Sequence, residues 1–353
     1  MFLNEVDLAL GILEPFGPEF AGGLSNHGPM VVDALHALGH DGLIAAWVDV
    51  YAPRLVDGEG GSPIPSSAWV EALGNTAYGD WHATFVLELQ EASWREVVGN
   101  WLPRLLPGFF AAATHGPIRV GHALRSLEES ESAVRRSELA AALGYWAASF
   151  QRLPGSPGCE ARSGFGPAQV LEQVVPLAAE RRRRGFLSDA VQALDDEPDF
   201  ASILAKADLS GRAPGELLGE ICATAAGLYL ENLSARIAYL HAVTGPAALR
   251  LMAEYLDEPA QREGAGYALQ SAAALHATFC QTQRGDAMLP GVEAENFSWD
   301  ELRYRAACSL EEHVIKLTEA CWREDRLRPD PRLRMAAADS VAHLGTSMGG
   351  RGA

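Results

Sequence analysis

Residues Pro214–Val243 read "PGELLGEICATAAGLYLENLSARIAYLHAV", and this stretch decides the fold. Its apolar residues recur at spacings of three and four, the period of an α-helix, with no strand-like alternation. Near its end Leu230, Leu233, Ile237, Leu240 and His241 share one face by helical spacing. The same period appears in "WREVVGNWLPRLLPGFFAAA", "SELAAALGYWAASFQRL", "GYALQSAAALHATFCQT" and "SWDELRYRAACSLEEHVIKLTEACWRE". The expectation is an all-α protein: a single large helical domain of roughly a dozen helices.

Working outward, 353 residues at 48% hydrophobic suffice for one large core or two ordinary ones. Loops are marked by "VDGEGGSPIPSS" (56–67), "LPGSPGCEARSGFGP" (153–167) and "RGDAMLPGVEAENFS" (284–298). The middle loop is a possible divide. Histidine-bearing junctions stand on both sides of it, so one domain over residues 1–345 is expected, with a disordered tail at 346–353.

A net charge of −18 argues against nucleic acid or an anionic membrane surface as the main partner. The run Arg181–Arg184 is expected to be a solvated helix face. Five cysteines, with no CxxC pair, fit reduced thiols rather than a disulfide framework or zinc ribbon. The N-terminus lacks a basic signal-peptide region, and no apolar run approaches the roughly 18–20 residues of a membrane span. A cytoplasmic location is expected. Of 28 basic residues only Lys206 and Lys316 are lysine, so a solvated cation here is nearly always Arg.

Chemistry concentrates at four places. In "NHGP" (26–29) and "THGP" (114–117) a histidine, His27 or His115, precedes Gly-Pro at the start of a helical pattern. Proline suits a first helical turn, and glycine permits an unusual angle or a close approach. The imidazole is thereby fixed near the positive end of a helix dipole, which favours its neutral, metal-ligating form. The alternative is a histidine that only caps an elbow. His241 lies on an apolar stripe, either as a ligand or as a satisfied core histidine. In "CSLEEHVIKLTEACW" (308–322), Leu310, His313, Val314, Leu317 and Cys321 line one face, with Lys316 three residues beyond His313. A buried lysine needs a lowered pKa or a paired charge; if solvated, it has Glu312 and Glu319 to pair with. A neutral amine can also add CO2 and become a carbamate, a carboxylate on a long arm that a metal holds. Imidazoles with such a carboxylate suit Fe, Zn, Mn or Ni.

Taken in order, "NHGPMVVDALHALG", "WLPRLLPGFFAAATHGPIRVGHALR", "YLHAVTGPAALRLM" and "EEHVIKLTEACW" resemble the questin oxidase-like family over about residues 20–325. The resemblance implies a helical fold that holds one non-heme iron through four histidines and a carboxylated lysine. Matched motif by motif, these are His27, His115, His241, His313 and Lys316. It further implies an oxygenase that opens a ring of an aromatic polyketide or related phenolic or quinone metabolite. Fe(II), O2 as co-substrate and a CO2-derived carbamate on Lys316 would then be required, with an external reductant as a further option. Two departures bear on the substrate rather than the metal. Fungal members often carry a second histidine after the first, where this chain has Gly28-Pro29-Met30. They also tend to have His-Leu-Gly-Tyr-Ala where this chain has Arg119-Val120-Gly121-His122-Ala123.

His82 and His122 are candidate proton shuttles. Trp47, Tyr51, Trp81 and Phe85 either wall a flat aromatic substrate or belong to the core. The competing functions are a metal-dependent hydrolase built on the same carbamate, and a non-catalytic helical ligand-binding protein. No GxGxxG follows a strand, so a bound flavin or nicotinamide is not expected.

Overall fold

Helical periodicity of this kind is realised in a computed structural model that describes residues 4–158, 164–280 and 297–345. Seventeen α-helices occur among these residues, against a single two-stranded sheet, so the fold is all-α. The helix number exceeds the expected dozen because the additional elements are short. Trp69–Ala72 and Leu187–Ala190 are about one turn each, too brief to display a period of 3.6. The chain clusters into two compact units. The first comprises residues 1–152 and 251–257, the second 153–250 and 258–353. The division falls at Leu153, where the middle Pro/Gly-rich loop begins. The tail 346–353, Cys159 and most of the loop 284–298 lie outside the described residues.

In the first unit α1 (Glu5–Leu13) leads to a hairpin of β1 (Glu19–Phe20) and β2 (Leu24–Ser25), paired antiparallel. Then come α2 (Gly28–Ala37), α3 (Ile44–Tyr51), α4 (Trp69–Ala72), α5 (Tyr78–Glu91), α6 (Trp94–Leu105), α7 (His115–Glu129) and α8 (Ala133–Ala148). Side-chain caps start several of them: Asn4 accepts from Asp7 N–H, Ser93 from Glu96 N–H and Ser132 from Arg135 N–H. Helix α8 packs on both α5 and α7, and α2 packs on α7. Trp81, Phe85 and Trp101 meet edge-on and stacked in the core, with centroids 4.8–5.8 Å apart.

The second unit contains α9 (Pro167–Gln173), α10 (Leu187–Ala190), α11 (Pro198–Ala205), α12 (Pro214–Glu231), α13 (Arg236–Arg250) and α14 (Glu258–Phe279). It continues with α15 (Trp299–Cys308), α16 (Glu312–Leu327) and α17 (Pro331–His343). Its centre is α12, α13 and α14, which bury Ala223, Ala226, Ala268 and Ala272. Such small side chains let helix axes approach closely.

Three expectations are corrected here. The stretch from Leu230 to His241 is not one helix: α12 ends at Glu231 and α13 begins at Arg236. The stripe is broken accordingly, with Ile237 41% exposed while Leu240 and His241 are buried. Leu310 lies before α16 rather than on its face. The Arg181–Arg184 run is solvated for the most part but is not a helix face; a 3-10 turn, Ala179–Arg181, enters it, and Arg182 folds back onto the carbonyls of Leu177 and Cys280. The described cysteines, Cys222, Cys280, Cys308 and Cys321, are free thiols. Among the described residues no helix is long and apolar enough to cross a membrane.

Candidate metal centre

His27 is placed by the hairpin before it. Ala21, Gly22 and Gly23 turn the hairpin with φ of 47, 80 and 125°. The chain then reaches Asn26, which is pinned three ways. Its side-chain amide donates to Gly17 O at 3.0 Å, its N–H donates to Pro18 O at 2.7 Å, and its Oδ1 accepts from Gly28 N–H at 2.9 Å. The His27 N–H donates to the Tyr51 hydroxyl at 2.7 Å, and Tyr51 stacks on Trp47 with centroids 4.4 Å apart. Gly28 is needed for close approach: a Cβ there would lie 2.9 Å from both Leu13 methyls.

His115 opens α7 after an unusual entry. Ala112, Ala113 and Thr114 all have positive φ, at 48, 54 and 73°. Left-handed backbone costs an L-residue about 1–2 kcal/mol, so three in succession store strain. The turn delivers the Ala112 carbonyl to His115, whose Nδ1 donates to it at 2.7 Å. That bond puts the neutral ring's proton on Nδ1 and a lone pair on Nε2. Nε2 lies 3.0 Å from His27 Nε2, and both rings are buried.

The second unit repeats this arrangement. His241, 1% exposed, donates from Nδ1 to Ile237 O at 2.6 Å. Burial, then the charges of His313 and Lys316, hold its pKa well below the ordinary imidazole range. It is therefore neutral with its lone pair on Nε2. The Thr-Gly-Pro that follows does not end the helix; α13 continues through Pro246 to Arg250. His313, in the first turn of α16, presents Nδ1 to Glu311 Oε1 at 3.0 Å and stands edge-on to His241, centroids 5.7 Å apart. Leu310 enters that turn with φ 55°. Glu311, Glu312 and His313 offer ligand atoms within 4.8 Å of one another.

Lys316, one turn on, is 1% exposed, and its Nζ has no hydrogen-bond partner among the described residues. Burial pushes its pKa down to about 7, with Glu312 and Glu311 opposing the shift only in part. Lys206, in contrast, is exposed.

The two candidate shuttles have other engagements. His82 stacks in parallel on Tyr78, with centroids 5.5 Å apart; burial, then the Arg119 charge, lowers its pKa. His122 donates from Nδ1 to Asp33 at 2.7 Å, and Arg125 reaches the same carboxylate. Two helical turns, about 10 Å of rise, separate His122 from His115. Trp47, Tyr51, Trp81 and Phe85 are all buried. Tyr51 has a role that its sequence position did not reveal, as the acceptor for the His27 backbone. Asn26 is the other missed residue; the sequence signal for it was an Asn two residues ahead of the glycine whose N–H it accepts.

No protein-family model matches this chain, and no curated protein is detectably similar to it.

Proposed function

We propose that the protein is a non-heme iron oxygenase in which His27, His115, His241, His313 and a carboxylated Lys316 hold one metal. On this reading it opens a ring of an electron-rich phenolic, quinone or polyketide substrate. The observation that carries it is Lys316: a buried amine without a hydrogen-bond partner, one helical turn from a histidine. Burying an unpaired ammonium is costly, and the amine is neutral enough near pH 7 to react. It adds CO2 by forming an N–C bond and releasing one proton, which leaves an anionic carbamate.

The donor set fits a borderline divalent cation. Nδ1 of His115, His241 and His313 each faces a carbonyl or carboxylate, the outer contact that fixes a ligating imidazole. Two nitrogens bound at right angles to one cation at about 2.0–2.1 Å lie about 3 Å apart. The His27 and His115 nitrogens are 3.0 Å apart. Iron(II) held by these nitrogens and the Lys316 carbamate would supply oxygen activation. The chain's own residues orient the imidazoles, keep His241 neutral and provide negative charge through Lys316. The resemblance in the four ordered motifs supports iron and an aromatic substrate over the alternatives.

The test is metal analysis of protein purified in CO2-containing buffer, followed by oxygen uptake with a panel of hydroquinones and anthraquinones. One iron per chain and substrate-dependent uptake are expected. Zinc or nickel without oxygen uptake would move the assignment to a hydrolase on the same carbamate. No metal, with ligand binding unaffected by His313→Ala, would leave a binding protein.

A further inference from the structure

Helices α2 and α7 touch along their length through polar side chains. His27 meets His115 at their first turns. Further along, Asp33 takes His122 and Arg125. Near both C-terminal ends, His36 reaches Glu129. His115, His122 and Glu129 are spaced by seven, so they share one face of α7, and the two helices run parallel.

The last of these contacts has a special proton requirement. His36 Nδ1 lies 2.7 Å from Asp41 Oδ1, and its Nε2 lies 2.8 Å from Glu129 Oε1. Ionised carboxylates only accept, and a neutral imidazole has one N–H to give. Both bonds exist together only in the imidazolium form. The His36 side chain is 27% exposed, so solvent can exchange its proton. The charged groups that act on His36 are Asp41 and Glu129; Asp33, His122 and Arg125, on the same two helices, are engaged with one another.

We infer that His36 is a pH-sensitive clamp: its imidazolium ties the end of α2 to Asp41 and to the end of α7, and deprotonation releases one tie. Burial pulls the ring's pKa down, but the bonds to Glu129 and Asp41 outweigh it and raise the pKa above the ordinary value. The sign follows from that direction. The clamp is fully present below the unfolded histidine value of about 6.5 and is lost as pH rises through the higher folded value. The helices it holds are the two whose first turns carry His27 and His115.

The experiment is an NMR titration of imidazole resonances in the full chain, with His36 assigned by comparison to His36→Gln. A midpoint above about 6.5 is expected, moving down toward it in Glu129→Gln. In parallel, the Tm of the unmodified protein relative to that of His36→Gln should drop by roughly 1–2 °C between pH 6 and 9. A His36 midpoint at or below 6.5, no movement in Glu129→Gln, or parallel Tm curves would overturn the clamp. If His36→Gln fails to fold, His36→Asn supplies the assignment, and the titration of the unmodified chain then decides the matter.

Discussion

Ile315 and Leu317 flank Lys316, and all three are buried. No surface reading of this lysine survives that placement, since Glu319 bonds to Arg323 instead. The sequence pointed to Lys316 through its rarity in an arginine-rich chain and its spacing from His313. Burial itself was not legible there, because it depends on what packs against α16. A stability prediction follows for metal-free protein in CO2-depleted buffer. The folded pKa is about 7, while the unfolded lysine titrates near 10.4. Between those values the unfolded chain binds the extra proton, so stability rises with pH across about 7–10.4 and is flat below. Lys316→Met should abolish that rise and lift Tm at pH 6.5 by about 5 °C, as read by thermal scans of both proteins at several pH values. A second outcome belongs to the loaded protein. Lys316→Arg cannot form a carbamate and stays charged, so metal content should fall to near zero. Lys316→Ala should recover part of it in formate or acetate, and full metal retention in Lys316→Arg would refute the carbamate.

At the scale of the element, what the sequence concealed was backbone geometry. "HGP" announced two helix starts, and α2 and α7 begin there. Nothing in Ala-Ala-Thr announced three left-handed residues before α7, because alanine and threonine disfavour that region. The turn is closed by backbone bonds from His115 N–H to Ala112 O and from Gly116 N–H to Ala111 O, and it brings the Ala112 carbonyl under His115. Replacing Ala113 with glycine normally costs stability; here it should be neutral or stabilising by ~1 kcal/mol, since φ at 54° is free for glycine. Chemical denaturation of Ala113→Gly measures this. Gly28→Ala should do the reverse. The added methyl would sit 2.9 Å from Leu13, and a loss of ~1–3 kcal/mol by the same assay is expected. The sequence offered either angle or proximity as the reason for glycine in this motif; at Gly28 it is proximity. At Thr244-Gly245-Pro246 the same Gly-Pro pair starts no helix, since α13 carries Pro246 within it. The proline forfeits a bond to Ala242 O, but the surrounding packing of α12, α14 and α16 on α13 keeps the helix continuous.

For the whole molecule, helix content was legible because amphipathic periodicity is local. The division into units was only hinted at by the loop at Leu153, because compactness depends on contacts far apart in sequence. The return of residues 251–257 to the first unit left no sequence mark at all. This division gives the proposed centre its sharpest test. The first unit contributes His27 and His115, the second His241, His313 and Lys316. If one metal uses all five, the clusters are not independent. His115→Ala and His313→Ala should then each reduce metal from one per chain to near zero, since each removes a ligand from the same ion. If the clusters bind separately, each variant would lose only its own share and leave the other cluster loaded. Elemental analysis of the two variants and the unmodified protein, purified side by side, distinguishes these outcomes. Circular dichroism of the same samples checks that the loss of metal is not a loss of helix. A residual half-occupancy in either variant would show that the five residues do not act as one site, and the oxygenase reading, which requires them together, would fail with it.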